Sequence, residues 1–276
     1  MWLRFRRNRG AVVGLAVLVL FFAVALVAPL ATTYNPEENH LEEALNDPTS
    51  AHWLGTDHLG RDILARLAYG ARFSLVIGFA AVGLGLAVGL PLGAVSGFYG
   101  GWVDLLIQRV IDVLLSFPGF LLALALIALL GVGLDKVIIA VGLGVLPAFV
   151  RLVRASTLSI SYRSYVEAAR AFGQPGLLII WRHVVPNVLG PVVIQATLGL
   201  GSTLLTAAGL GFLGLGVQGP TPEWGSMLGE GRQYIFSNPN LATFPGLAIF
   251  LTVLGFNLAG DGLRDALDPT ADRRIA

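Results

Sequence analysis

Six apolar runs, at positions 11–31, 74–98, 113–131, 137–153, 188–215 and 241–260, recur along this chain of 276 residues. A helix rises about 1.5 Å per residue, so about 20 residues cross the roughly 30 Å hydrocarbon core of a bilayer. Lipid offers backbone N–H and C=O groups no hydrogen-bonding partner, so a continuous run of this kind must be helical rather than an open strand. Only 13% of the residues are charged, against about 25% in an ordinary soluble domain. An all-α polytopic membrane protein with six transmembrane helices is the expected fold class.

Charge sets the expected orientation. With the N-terminus inside, Arg4, Arg6, Arg7, Arg9, Arg109, Arg151, Arg154, Arg163, Arg170, Arg182, Arg264, Arg273 and Arg274 fall in the cytoplasm. Of the 18 cations, that leaves Arg61, Arg66, Arg72, Lys136 and Arg232 outside. The positive-inside rule therefore favours both termini in the cytoplasm. The first run follows an Arg-rich start as a signal peptide would, but it is longer than the roughly 7–15 residues of a signal core and reads as a retained helix.

Several kinds of chemistry are excluded by composition. Without cysteine there is no disulfide, thiol nucleophile or iron–sulfur ligand, and no basic stripe with interleaved aromatics suggests nucleic acid as a partner. The one lysine, Lys136, sits in "GLDKVI", where no P-loop can form, so the chain cannot hydrolyse ATP by that route. "GLGFLG" at 209–214 matches a dinucleotide fingerprint only in letters; inside an apolar span with no preceding strand it is helix packing. Neither H-E-x-x-H nor G-x-S-x-G occurs, so no catalytic residue is assigned. His52 and His58 lack a third ligand nearby in sequence, and no metal site is expected. No carboxylate lies near the middle of a run, which argues against a proton- or sodium-coupled carrier.

One polar stretch interrupts the apolar pattern: "SYVEAARAFGQPGLLIIWRHVVPN", 164–187, between the fourth and fifth runs and on the expected cytoplasmic side. Ser161 can cap a short helix with Tyr165, Ala168, Ala169 and Phe172 on one face and Arg163, Glu167 and Arg170 on the other. Gly173 ends it, and Pro175 suits the first turn of a second helix that stops before Pro186. Two readings remain open at this level: an amphipathic loop on lipid headgroups, or an elbow that another protein grips at its small alanines.

Glu167, Ala168, Ala169, Gly173 and Pro186 resemble the EAA loop of binding-protein-dependent ABC importer permeases, with Val185 where a leucine is usual before the proline. Three further blocks resemble the C-type permease of dipeptide, oligopeptide and nickel importers: 52–75 ("HWLGTDHLGRDILARLAYGARFSL"), 222–232 ("PEWGSMLGEGR") and 257–269 ("NLAGDGLRDALDP"). "LRFRRNRGAVVGL" is similar to that branch's N-terminal helix entrance. The resemblance implies a type I ABC importer permease fold in a bacterial inner membrane. It implies partners as well: a second, B-type permease, two cytoplasmic ATP-binding subunits that grip the 161–187 loop, and an extracytoplasmic substrate-binding protein. No cofactor is implied for this chain, since the partner subunits bind ATP. The substrate it implies is a di- or oligopeptide, with nickel, glutathione and sugars served by the same branch. An ATP-independent carrier or channel is the alternative.

The remaining features carry narrower expectations. Residues 1–72 are expected to hold the tail, first helix and an extracytoplasmic segment, and 73–276 the permease core. Thr56 or Asp57 is expected to cap a short surface helix with i, i+4 pairs Asp57–Arg61 and Asp62–Arg66. Asp57, Arg61, Asp62 and Trp224 are expected to serve extracytoplasmic contacts to the partner permease or the binding protein. Gly85, Gly89, Gly93 and Gly97 recur every fourth residue and predict a close helix-packing seam, whose partner the spacing does not identify. Asp104, Arg109 and Asp112, and Asn257, Asp261, Arg264 and Asp265, are expected to neutralise one another at helix ends. Pro118 and Pro147 predict kinks. The stretch 216–240 is expected to be a long, turn-rich outer loop.

Overall fold

The computed structural model describes residues 2–267, and its regular elements are all helical. A short α1 (Trp2–Arg7) leads into α2 (Arg9–Ala31). Asn8 divides them because its side-chain oxygen accepts from the Ala11 N–H at 3.1 Å, satisfying one of the donors that a helix start leaves free. There follow α3 (Ile63–Tyr99), α4 (Gly101–Leu115), α5 (Gly119–Leu130), α6 (Leu134–Ser161) and α7 (Ser164–Ala171). The chain closes with α8 (Gly176–Ile179), α9 (Val185–Phe212), α10 (Trp224–Gly231) and α11 (Asn240–Leu267). The expected Asp268, Pro269, Arg273 and Arg274 features lie outside the described residues.

Five helices are individually long and apolar enough to cross a bilayer: Arg9–Leu30, Ile63–Tyr99, Leu134–Ser161, Gly176–Phe212 and Asn240–Leu267. The expected third span is broken rather than straight. Helices α4 and α5 meet at 88°, and six crossings require that bent pair to count as one. Pro118 supplies no N–H and disfavours helical geometry at Phe117, so α4 ends ahead of it. With 12 residues α5 rises only about 18 Å, less than a hydrocarbon core. Pro147, in contrast, sits inside an uninterrupted α6.

The surface helix expected around Thr56 does not form. Residues 51–61 make turns closed by a bridge between Thr56 and Asp62, and the helix begins only at Ile63, with Asp62 accepting from the Ala65 N–H at 2.7 Å. From there it runs on for 37 residues as α3. The expected division between residues 72 and 73 falls inside that helix.

The core is built where α3 and α6 run side by side in the same direction. A Cβ on Gly85 would sit 2.9 Å from Val145, on Gly89 2.6 Å from Phe149, on Gly93 2.6 Å from the Val150 carbonyl, and on Gly97 2.7 Å from the Arg154 carbonyl. The seam therefore closes on a helix of the same chain. Gly142 on α6 answers it, lying against Leu84 and the Ala81 carbonyl. On the other side α2 packs into α11 through Gly14, whose Cβ would meet Leu258 and the Gly255 carbonyl. Phe21 of α2 places its ring edge-on to Trp224, 5.3 Å away.

The charges at the helix ends pair between helices rather than along them. Asp104 of α4 accepts from Arg154 of α6 through Nε at 2.6 Å and Nη2 at 2.5 Å, and Asp112 accepts from Arg151 at 2.8 Å. At the other cluster Asn8 donates to Asp265 at 3.0 Å. Sequence neighbours at i+3 or i+4 were the expected partners.

Candidate functional site

The polar stretch forms an elbow at the end of the bundle where α3 and α6 terminate. Helix α7 turns Val166 and Ala169, one helical turn apart, inward against Ile179, with Phe98 and Ile160 at the edge of the same cluster. Arg170 lies over the Phe98 ring, 4.5 Å from its centroid. Gly173 then takes φ +73, the Gly173 N–H bonds the Arg170 carbonyl and the Gln174 N–H the Ala169 carbonyl. These two bonds are the Schellman closure that satisfies the last carbonyls of a helix, and it favours glycine at that position. A Cβ on Gly176 would lie 2.7 Å from the Tyr99 hydroxyl, so the start of α8 also rests on the end of α3.

The expected faces of α7 are rotated. Tyr165 and Phe172 are exposed, Phe172 at 87%, while Val166 takes the inner position with Ala169. Ala168 and Glu167 point outward, Ala169 inward at 5% exposure. The two alanines therefore do different things: Ala169 lets α7 approach its own bundle, and only Ala168 leaves an open surface beside Glu167. Arg163 rather than Ser161 occupies the capping position, and no side chain caps there. The second helix does not stop before Pro186. It passes through a wide π turn at Ile180–Val184 and continues as α9, so that Gly176–Phe212 forms one 37-residue span. Within the turn the Val185 N–H bonds back to the Ile180 carbonyl, and the widened turn makes room for a proline ring that would crowd an ordinary helix.

The opposite end of the bundle holds the other predicted residues, all within the chain's interior. Asp57 accepts from Arg61 Nε at 2.6 Å and lies 3.3 Å from Arg66 Nε, and both guanidinium groups also reach Glu230, at 3.1 and 3.3 Å. Asp62 pairs with His52 at 2.9 Å instead of with Arg66. Exposure is 5% for Asp57, 3% for Arg61, 6% for Asp62 and 0% for Trp224. All four are thus buried within the chain: Arg61 ties Asp57 to Glu230 of α10, Asp62 holds His52, and Trp224 reaches back to Leu67 of α3. Sequence spacing also missed a third ligand-type group near His58. Asp57, His58 and Glu230 bring ligand atoms within 4.8 Å of one another, but both carboxylates are already held by Arg61 and Arg66, whose charges oppose a cation.

The stretch expected to be a turn-rich loop contains α10, folded back against α3, α9 and α11. Glu223 caps it, accepting from the Gly225 and Ser226 N–H groups at 2.9 Å each and from Ser74 Oγ at 3.0 Å. Gly211 and Gly225 allow the contact, since a Cβ on either would lie within 2.7 Å of the facing element. Trp224 donates its indole N–H to the Leu67 carbonyl at 2.9 Å. Truncating it to alanine should leave a large cavity and lower stability by about 3–5 kcal/mol; thermal unfolding of the detergent-solubilised protein checks this, and an unchanged midpoint refutes it. Burial pushes the Glu223 carboxyl above the usual carboxylate range, although its backbone and Ser74 hydrogen bonds pull the other way. A carboxyl raised on folding contributes stability below its unfolded pKa and loses it as pH rises through the folded value. Glu223→Gln should therefore flatten the loss of stability as pH rises above the ordinary carboxylate range, and a profile of unchanged slope there counts against this.

The family model described as binding-protein-dependent transport system inner membrane component matches residues 89–273, and that of the N-terminal TM domain of oligopeptide transport permease C matches residues 1–48. The dipeptide transport system permease protein DppC of Alkalihalophilus pseudofirmus is 48% identical over 264 residues, 96% of this chain and 87% of its own. The glutathione transport system permease protein GsiD of Pectobacterium atrosepticum is 46% identical over 269 residues, 97% and 89% of the two chains. An inward-facing structure of the MetNI methionine ABC transporter superposes with a TM-score of 0.59 at 22% identity, covering 74% of this chain and 96% of that one; it bears on the fold alone.

Proposed function

We propose, given that this chain belongs to the binding-protein-dependent transport system inner membrane component family and is a permease subunit of an ABC importer, that its cargo is a short peptide. Relatives named for dipeptides and for glutathione support the same class, because glutathione is itself a small peptide. A second, B-type permease completes the pore, two ATP-binding subunits dock on the elbows from the cytoplasm, and an extracytoplasmic binding protein delivers substrate. Both termini then lie in the cytoplasm of a bacterial cell, with the elbow. The chain itself needs no cofactor and performs no catalysis, since ATP is bound and hydrolysed by its partners.

The single observation that carries the coupling role is the elbow's construction. Its inner face is fixed to the ends of α3 and α6, while Glu167, Ala168 and Phe172 remain open. An outer surface that sets Glu167 and Ala168 beside an exposed Phe172 ring suits a socket on a motor subunit. When the ATP-binding subunits close, their elbows move together and shift the equilibrium between two bundle arrangements, giving alternating access. Purification in mild detergent tests the assembly. The expected result is co-elution with a second permease and ATP-binding subunits whose hydrolysis rises when peptide-loaded binding protein is added. A chain that transports peptide alone, without nucleotide, would establish the channel reading instead.

A further inference from the structure

The bent pair α4–α5 is left uncovered where it breaks. Helix α4 ends at Leu115 and α5 starts at Gly119, and every residue from Leu115 to Leu121 is exposed. The N–H groups of Gly119, Phe120 and Leu121 and the carbonyls of Leu115, Ser116 and Phe117 find no hydrogen-bond partner among the described residues. Ser116 does not answer them, because its hydroxyl donates to the Val113 carbonyl at 2.7 Å. Space is open there as well: a Cβ on Gly119 would meet nothing within 4 Å.

Neighbouring helices fix the depth of the break. The Gly119 carbonyl lies 3.7 Å from where a Cβ on Gly144 of α6 would stand, and Leu114 joins Leu143 and Leu146 in one apolar cluster. Helix α6 is one of the spans, and its nearest charges on either side, Lys136 and Arg151, are about 12 Å and about 10 Å from Gly144 along the axis. Gly142 packs on the Ala81 carbonyl of α3, which is about 14 Å from Arg72, the nearest charge on that helix. The break is therefore level with the middle of an uncharged stretch on both helices. Hydrocarbon offers nothing to free backbone groups, and irregular backbone at such depth is tolerated only against protein or water.

The surroundings favour protein. The side chains at the break are Phe117, Phe120 and Leu121, 55%, 38% and 54% exposed, and the face that carries Leu121 continues through exposed Ala125 and Ala128. Such side chains give water no hydrogen bond, whereas small alanines let another helix come close enough for its polar groups to reach the open backbone. We propose that the stretch from Leu115 to Ala128 is the docking surface for the second permease, which brings to it a membrane segment bearing donors and acceptors, either Ser, Thr, Asn or Gln side chains or an interrupted helix of its own. The proposal rests on the importer reading above and says where on this chain that partner is seated. The crossing is then completed only in the assembly, since the chain alone leaves three donors and three acceptors open at mid-membrane.

Photocrosslinking tests this. The residue p-benzoylphenylalanine, close to phenylalanine in shape, is installed at Phe117 or at Leu121 of the whole importer in nanodiscs, and the mass of each adduct after irradiation identifies what it reached. Adducts with the second permease should exceed adducts with lipid by about tenfold or more at both positions. Lipid as the main product, in an importer that still holds its second permease and ATP-binding subunits, would overturn the docking surface while leaving the importer reading intact. Water is tested separately with Phe117→Cys, since the chain has no cysteine of its own. A membrane-impermeant methanethiosulfonate should modify it at least about tenfold more slowly than Phe236→Cys, on the fully exposed outer loop, because the reactive thiolate forms only where water reaches it. Equal rates in the intact importer would make the break the wall of an aqueous path and overturn the docking surface. A chain that purifies without a second permease would remove both readings.

Discussion

Replacing Glu167 by lysine should abolish peptide uptake and the stimulation of ATP hydrolysis by the binding protein, while leaving the amount of chain in the membrane unchanged. Glu167 is exposed on α7, and the structure gives it no fold-stabilising hydrogen bond among the described residues. Surface substitutions of that kind change stability by about 0.5 kcal/mol or less. Reversing a charge inside a socket acts differently: like charges brought together at an interface cost several kcal/mol, which weakens binding by a factor of about a thousand. Ala168→Trp should act in the same sense by bulk. Ala169→Trp should not be grouped with it, because Ala169 is buried against Val166 and Ile179 and the larger ring would displace α7 itself. The measurements are transport into vesicles, ATPase stimulation and membrane abundance, compared across the three variants. If Glu167→Lys keeps full stimulation, the elbow does not engage the motor through this face.

The second large effect concerns the seam. Gly93→Leu should prevent the chain from accumulating as a folded protein. The first carbon of a new side chain would stand 2.6 Å from the Val150 carbonyl and 2.7 Å from Val153 Cβ, and a carbonyl in the middle of α6 cannot move without breaking its helix. Overpacking usually costs about 1–3 kcal/mol, and more where backbone is the obstacle. Membrane helices associate largely through close packing rather than solvent exclusion, so separating α3 from α6 removes the main contact of the bundle. Gly83→Leu is the control: nothing lies within 4 Å of a Cβ there. Size-exclusion profiles of the two variants in detergent decide the matter, and equal monodispersity would show that the seam tolerates widening.

Much of this architecture could be read from residues alone. Apolar runs located the long helices because in lipid the length of a run directly sets what it can span. They failed at α4 and α5, where Pro118 signalled a disturbance but not that its size would be 88°. Glycine spacing marked the seam but not its partner, since close approach requires small residues on one helix and says nothing of what fills the space. The elbow's position was legible from Glu167, Ala168, Ala169 and Gly173. Its facing was not, because a helix of eight residues can place Tyr165 or Val166 inward with equal periodicity. The burial of Asp57, Arg61, Asp62 and Trp224 was not legible for a related reason: polar and aromatic side chains in a connecting segment suggest exposure, and only tertiary pairing with Glu230, His52 and Leu67 draws them inside.

The continuity of Gly176–Phe212 has a mechanical corollary. A shaft of 37 residues is about 55 Å long, so a tilt of about 5° at its base sweeps its tip through roughly 5 Å. That tip is wedged against Glu223 and Gly225 through Gly211, while the base follows directly on the elbow at which we propose the ATP-binding subunits dock. Force applied to one surface of the membrane thus arrives at the other along a single lever. The π turn at Ile180–Val184 is the one departure from α-helical geometry along that lever between its base and Phe212.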